Sequence, residues 1–260
     1  MITVQYKGRL GNNLIQYAAG YILAKKSGQK LHTPPRVSYI NYGRFKTSSS
    51  DEHRISINFG KVFDIEQPPG ETFEQIAQVN DYEYRECLNR TTHATGYNLS
   101  GFFQHPSLLC KYRDEILDLY SYDNNHNNID PDDAFIACRF GDVMMVNRRK
   151  YCSIQYVEQH LIRNRHKYNN VYLTSDSLDH PPLVELIEKY NITKYSSDPL
   201  MTILFAKCFN NLILSAGSFS YWMAYLSVAK NISVFHEKQD GLITTNSWKY
   251  NPDVNFYIEN

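Results

Sequence analysis

Ala134-Phe135-Ile136-Ala137-Cys138 is a short, unbroken apolar run set behind an acidic turn, Asp130-Pro131-Asp132-Asp133. A run of this length without polar alternation predicts a strand buried on both faces, as in parallel sheets covered by helices. It stops abruptly at Arg139-Phe140-Gly141-Asp142. Ligands of open α/β sheets bind at the carboxyl ends of the strands. A guanidinium there presents a fixed fork of donors suited to phosphate oxygens. Arg139 is therefore the first candidate for an anion clamp, against the plainer alternative of a strand-end arginine paired with a carboxylate.

The residues that follow repeat the pattern. Ile154, Val157 and Leu161 have helical spacing, and Arg163, Arg165 and Lys167 suit the carboxyl end of that helix. Val171-Tyr172-Leu173 reads as a strand ending in Thr174-Ser175-Asp176, followed by a helix through Leu183, Leu186, Ile187 and Tyr190. Asp198-Pro199 is a helix start, an N-cap acceptor before proline at the first helical position. Leu212-Ile213-Leu214 reads as a buried strand and Ile232-Ser233-Val234-Phe235 as the last one. Between them, Ser215-Ala216-Gly217-Ser218-Phe219-Ser220 opens a helix at Tyr221-Trp222, and Ser218 and Ser220 at its N-terminus favour an anion. Alternation of this kind predicts a parallel sheet covered by helices. Arg139, Ser175, Asp176, Ser218 and Ser220 would then share one sheet edge.

The first half opens with a strand, Ile2 to Tyr6, then the turn Lys7-Gly8-Arg9-Leu10-Gly11-Asn12. A helix follows, with Leu14, Ile15, Ala18, Ala19, Ile22 and Leu23 at helical spacing, and Ser27-Gly28 ends it. Strand, glycine turn and helix make an anion-binding corner, without the spacing of a dinucleotide fingerprint. Residues 33–75 read as loops and short elements. Gly101-Phe102-Phe103-Gln104 is a compact turn, and the polar residues 122–128 read as a linker. Domains are accordingly expected at 1–125 and 126–260.

Charge balances at 27 basic against 27 acidic residues, which argues against nucleic acid or an anionic membrane as the main partner. Five cysteines, an odd number without Cys-x-x-Cys spacing, fit reduced thiols and a cytoplasmic location. No segment is long enough to span a bilayer, which leaves room for peripheral membrane association. Asp130-Pro131-Asp132-Asp133 contains Asp-x-Asp, but it precedes its strand and has turn chemistry, so it reads as solvated. The nine histidines show no metal-ligand spacing, and His105 reads as a surface residue.

Several stretches together resemble the α-1,2-fucosyltransferase family. Gly8-Arg9-Leu10-Gly11-Asn12 with Gln16-Tyr17-Ala18 is similar to its opening motif, and residues 101–104 to its Gly-Tyr-Phe-Gln segment. Residues 137–142 stand where the family has His-x-Arg-Arg-x-Asp. Residues 174–176 and 208–226 resemble its two later motifs. The resemblance implies an α/β, GT-B-like fold: two Rossmann-like halves with parallel sheets facing a central cleft. It implies a metal-independent, inverting transfer of fucose from GDP-fucose to a galactose-like hydroxyl of a glycan acceptor, with no cofactor. Ala137 and Phe140 depart from the motif's His and second Arg, and Met201 stands near a position that is often acidic. These departures leave open another GDP-deoxyhexose donor, or a glycan- or nucleotide-binding homologue without turnover.

The expected donor site gathers Gly8, Gly11, Asn12 and Arg139 with Ser175, Asp176 and Asp198. Ser218, Phe219 and Ser220 complete it, although Phe219, Tyr221, Trp222 and Tyr225 also read as helix packing. Charge builds on the leaving diphosphate, and one fixed donor for such charge is worth on the order of 10²–10³ in rate. Asp142 is either a base or, with the edge, a carboxylate holding the Arg139 loop.

Overall fold

The computed structural model describes residues 1–41, 53–66, 77–90, 96–122, 129–140, 153–235 and 255–259. The chain divides into two compact units, Met1–Tyr122 and Asp123–Asn260. Among the described residues no helix is long and apolar enough to cross a membrane.

The first unit runs β1 (Ile2–Val4), α1 (Leu10–Ser27), β2 (Arg36–Asn41), β3 (His53–Asn58), β4 (Ala77–Val79), α2 (Asp81–Asn89), β5 (Tyr97–Leu99), α3 (Pro106–Lys111) and α4 (Arg113–Leu119). Its three-stranded parallel sheet has the order β1-β5-β4. Helix α1 ends as its sequence predicts, with Gly28 left-handed at φ 66° and its N–H on the Ala24 carbonyl. Thirteen of its eighteen residues are buried, so the helix is enclosed and not merely amphipathic. Gly20 lets it approach the sheet, since a Cβ there would lie 2.7 Å from Val4 Cγ2. Tyr84 and Tyr120 donate their hydroxyls to the Ala19 and Leu14 carbonyls at 2.7 and 2.8 Å, pinning α1 from two sides.

Residues 33–75 hold more order than the loop reading allowed. Strands β2 and β3 pair antiparallel over six residues each, in register from Arg36 with Asn58 to Asn41 with His53. Strands β4 and β5 are three residues long, too short to show a period. Helix α2 did carry a signal: Asn80 and Glu83 form a capping box.

The second unit runs β6 (Ala134–Cys138), α5 (Ile154–Asn164), β7 (Val171–Ser175), α6 (Pro181–Lys189), β8 (Thr193–Lys194), α7 (Pro199–Ala206), β9 (Asn211–Leu214), α8 (Ser218–Tyr225), β10 (Asn231–Phe235) and β11 (Asn255–Glu259). All strands pair parallel in the order β11-β10-β9-β6-β7-β8. The chain lays down β6, β7 and β8 outward, then returns to the other side of β6 for β9, β10 and β11. Strand β10 is not the last, because β11 extends the sheet beyond it.

Strand β6 is buried at every residue, and its neighbours explain why. Ala134, Ile136 and Cys138 join Val157, Leu161, Leu173 and Leu183 in one core layer. Phe135 faces the opposite layer, among the rings of Tyr195, Phe205 and Phe209. Tyr195 and Phe205 stack there with centroids 4.0 Å apart. Burying one such ring contributes about 1.5–3 kcal/mol.

The acidic turn before β6 is not wholly solvated. Asp130 and Asp132 are exposed, but Asp133 is 1% exposed. Its Oδ1 accepts from the main-chain and side-chain N–H groups of Asn170, both at 2.9 Å. Asp133 thereby ties the start of β6 to the start of β7. A carboxylate with these donors withstands burial that an isolated one would not.

Candidate functional site

The reversal of strand order between β6 and β9 is the point where an open α/β sheet leaves a crevice at its carboxyl edge. Ser215 N–H donates to the Ala137 carbonyl at 2.9 Å, so the two strands stay paired up to that edge. Arg139 follows β6 directly and is half-buried. On the β9 side the chain turns through Gly217, at φ 117° and ψ 163°, into α8. A side chain would strain that backbone. Gly217 is also the N-cap and offers no side chain to the first-turn amides, which leaves them for an anion.

The residues of α8 then divide. Ser218 and Phe219 are half-buried at its first two positions. Ser220 is 3% exposed, and its Oγ lies 3.1 Å from Ser215 Oγ, so it faces the core rather than the crevice. Tyr221, Trp222 and Tyr225 are buried and pack ring to ring.

On the other flank of β6, Ser175 Oγ accepts the Ser177 N–H at 3.0 Å and shapes the turn after β7. Asp176 Oδ1 accepts the Phe140 N–H at 2.8 Å, and its Oδ2 lies 3.8 Å from Arg139 Nε. The Phe140 ring stacks on the His180 imidazole, centroids 5.3 Å apart. Asp198 caps α7, its Oδ1 accepting from Leu200 N–H at 2.9 Å and Met201 N–H at 3.1 Å. Arg139, Ser175, Asp176 and Ser218 thus share the carboxyl edge around β6. Asp142 lies outside the described residues.

In the first unit, Gly8 is left-handed at φ +75°, and a Cβ there would meet Asn12 Nδ2 at 2.3 Å. Arg9 is the N-cap of α1 without a side-chain bond to its amides. Gln16, fully buried, fixes this corner: its Oε1 accepts from Lys7 N–H at 3.0 Å and its Nε2 donates to the Gly101 carbonyl at 2.8 Å. Gln104 Nε2 donates to Asn12 Oδ1 at 2.8 Å. Two motifs some ninety residues apart in the chain are therefore bonded to each other (Gln104 and Asn12 are 92 apart).

Asp81 was missed by sequence reading. Its carboxylate accepts from Phe102 N–H at 3.1 Å and from Phe103 N–H, and a Cβ at Gly101 would lie 2.5 Å from it. His105 is held too, by the Asp81 carbonyl at 2.9 Å and by stacking on Tyr84. Nothing in the sequence links Asp81 to a turn twenty residues later. Gln16 did leave a signal, as an amide inside an apolar helix.

Burial pushes the thiols of Cys87, Cys110 and Cys208 above their ordinary range, which disfavours the nucleophilic thiolate. Burial first, and Tyr17 second, holds the Tyr6 phenol well above its usual value, and its hydroxyl donates to the Pro34 carbonyl at 2.9 Å. Among the described residues no group of three or more His, Cys, Asp or Glu is placed to hold a metal ion.

The family model of glycosyl transferase family 11 matches residues 1–252. No curated protein matches the chain. Among solved structures, the chain is similar to NodZ α-1,6-fucosyltransferase soaked with GDP-fucose, at 12% identity, covering 87% of this chain and 92% of that one, with a TM-score of 0.47. It is also similar to POFUT1 in complex with GDP-fucose in two crystal forms. The identities are 9% and 11%, covering 88% of this chain and 95% and 94% of those, each with a TM-score of 0.47.

Proposed function

This chain belongs to glycosyl transferase family 11 and is a glycosyltransferase, and on that premise we propose that it moves fucose from GDP-fucose to a galactose-like hydroxyl of a glycan, forming an α-1,2 linkage with inversion and without a metal. The C-terminal unit is assigned to the donor and the N-terminal unit to the acceptor. One observation supports the donor assignment above the others: Arg139 and the uncapped start of α8 flank the strand-order reversal of a six-stranded parallel sheet.

In the proposed reaction the acceptor oxygen attacks the anomeric carbon as the bond to the β-phosphate oxygen breaks, and GDP leaves with that electron pair. Charge accumulates on the diphosphate. Arg139, the α8 amides and the Ser218 hydroxyl supply fixed donors for it, and each is worth on the order of 10²–10³ in rate when aimed at the developing charge. Asp142 either receives the acceptor proton or holds the loop after Arg139, in which case the proton passes to the departing diphosphate or to water. The glycine corner at residues 8–12 is a second proposed anion-binding corner, in its own unit.

A different GDP-deoxyhexose is the second reading. It draws on Phe140, which stands where the family motif has its second Arg and whose ring is stacked on His180, so that a ring replaces a cation beside the clamp.

Calorimetry with GDP and UDP tests the nucleotide. Binding of GDP in clear preference to UDP is expected, and absence of GDP binding overturns both readings. Release of GDP from a panel of GDP-sugars, with and without β-galactosides, then identifies the donor and separates a transferase from a binder. Turnover unchanged by EDTA is expected, and a strict requirement for Mn²⁺ overturns the metal-free mechanism.

A further inference from the structure

In doubly wound sheets an acidic residue after the second strand of the order commonly bonds the nucleotide's ribose. Asp176 holds that place, directly after β7, yet both of its oxygens turn toward the neighbouring strand. Oδ1 accepts the Phe140 N–H at 2.8 Å, and Oδ2 lies 3.8 Å from Arg139 Nε. The register makes this natural, because Cys138 and Ser175 are partners at the ends of β6 and β7. The residues just past each end therefore lie side by side.

The ion pair is partly exposed, at 23% for Arg139 and 29% for Asp176, and pairs of this kind contribute little to stability. Its consequence is orientation. Residue 140 is held twice, by the Asp176 carboxylate at its main chain and by His180 at its ring, so the backbone beneath Arg139 is fixed. The second carboxylate oxygen then lies on the Nε side of the guanidinium, at ion-pair rather than hydrogen-bond distance. Phosphate recognition uses the two terminal nitrogens, which carry four of its donors.

We propose that Asp176 is a positioning residue: it acts through Arg139, one oxygen setting the main chain and the other aiming the guanidinium, and it does not touch the nucleotide. This rests on Arg139 as the phosphate clamp of the proposed function. The test is a double-mutant cycle with Arg139→Ala and Asp176→Asn, read as GDP affinity by calorimetry. Asn keeps an acceptor for the Phe140 N–H and removes the charge. In the parent background Asp176→Asn should weaken GDP binding about tenfold, and in the Arg139→Ala background it should change it less than twofold. An equal loss in both backgrounds, or no loss in the parent, overturns the proposal.

The Arg139 Nε–H resonance, identified by its disappearance in Arg139→Ala, gives a reading independent of nucleotide. Asp176→Asn should shift it, and an unmoved resonance overturns the proposal. If the parent binds no GDP, the donor assignment fails and this resonance still decides whether Asp176 aims Arg139. Should Asp176→Asn fail to fold, Asp176→Glu serves: it keeps the charge on a longer arm, and the same two readouts should move, again only while Arg139 is present.

Discussion

The two edges of the six-stranded sheet carry similar residue types arranged to opposite ends. At the amino edge, polar groups answer one another. Asp133 accepts from Asn170, Asn211 Nδ2 donates to the Asp133 carbonyl at 3.2 Å, and Asn231 and Asn255 pass side-chain bonds along to Asn211. At the carboxyl edge, Arg139 and Ser218 are half-buried, and the first turn of α8 has no side-chain cap. Polar residues at strand ends are thus no mark of a site in themselves. What separates the edges is placement: bonds closed within the amino edge add stability, and a helix start without a side-chain cap at a reversal of strand order suits a ligand.

Replacing Arg139 should break the carboxyl edge most severely. Arg139→Ala is expected to lower turnover by about 10²–10³, equivalent to about 2.7–4 kcal/mol of transition-state stabilisation. Its thermal midpoint should stay close to that of the parent, because the side chain is partly exposed and its ion pair is long. GDP release measured beside a melting curve checks both halves. Turnover within a few-fold of the parent would remove Arg139 from the clamp.

The mirror experiment belongs at the other edge. Asp133→Ala leaves the Asn170 donors facing a buried site that is 1% exposed in the parent. Stranded buried donors cost about 1–3 kcal/mol. A loss of that size in urea unfolding is expected, with GDP affinity of the folded fraction unchanged. If Asp133→Ala instead weakened GDP binding in the folded protein, the contrast between the edges would be wrong.

The two serines of α8 sharpen the contrast at close range. Ser218→Ala should weaken GDP binding severalfold and leave stability unchanged. Ser220→Ala should do the reverse, costing about 1–2 kcal/mol because Ser215 Oγ loses its buried partner. Calorimetry and urea unfolding of both variants decide the matter, and equal effects on GDP would return Ser220 to the crevice.

Much of the second unit was legible in the sequence because its signals are local. An apolar run with no alternation marks a strand covered on both faces, as β6 is, and Asp198-Pro199 starts α7 with its cap in place. What escaped depends on distance along the chain. Strand β11 is placed by pairing with β10, and strands β4 and β5 take their order from β1. Ser220 looked like Ser218 in the sequence, because two helical steps, about 200° around the axis, decide which of them meets the core. Asp176 was placed correctly at the strand end, but its orientation toward Arg139 is set by the β6–β7 register.

The mildest change probes how far saturation at the amino edge reaches. Asn231 opens β10 in register with Asn211 and Asn255. Its Nδ2 donates to Asn211 Oδ1 at 2.9 Å, and its Oδ1 accepts from Asn255 Nδ2 at 3.2 Å. Asn231→Ala removes both bonds, but Asn255 is exposed and Asn211 half-buried, so water replaces much of what is lost. A cost of only about 0.5–1 kcal/mol in urea unfolding is expected, well below that of Asp133→Ala. Hydrogen exchange should also quicken at the amides of β11, which among the described residues pairs with β10 alone, while the amides of β6 stay protected. Uniform quickening across all six strands would mean that the ladder holds the whole sheet rather than its outermost strand.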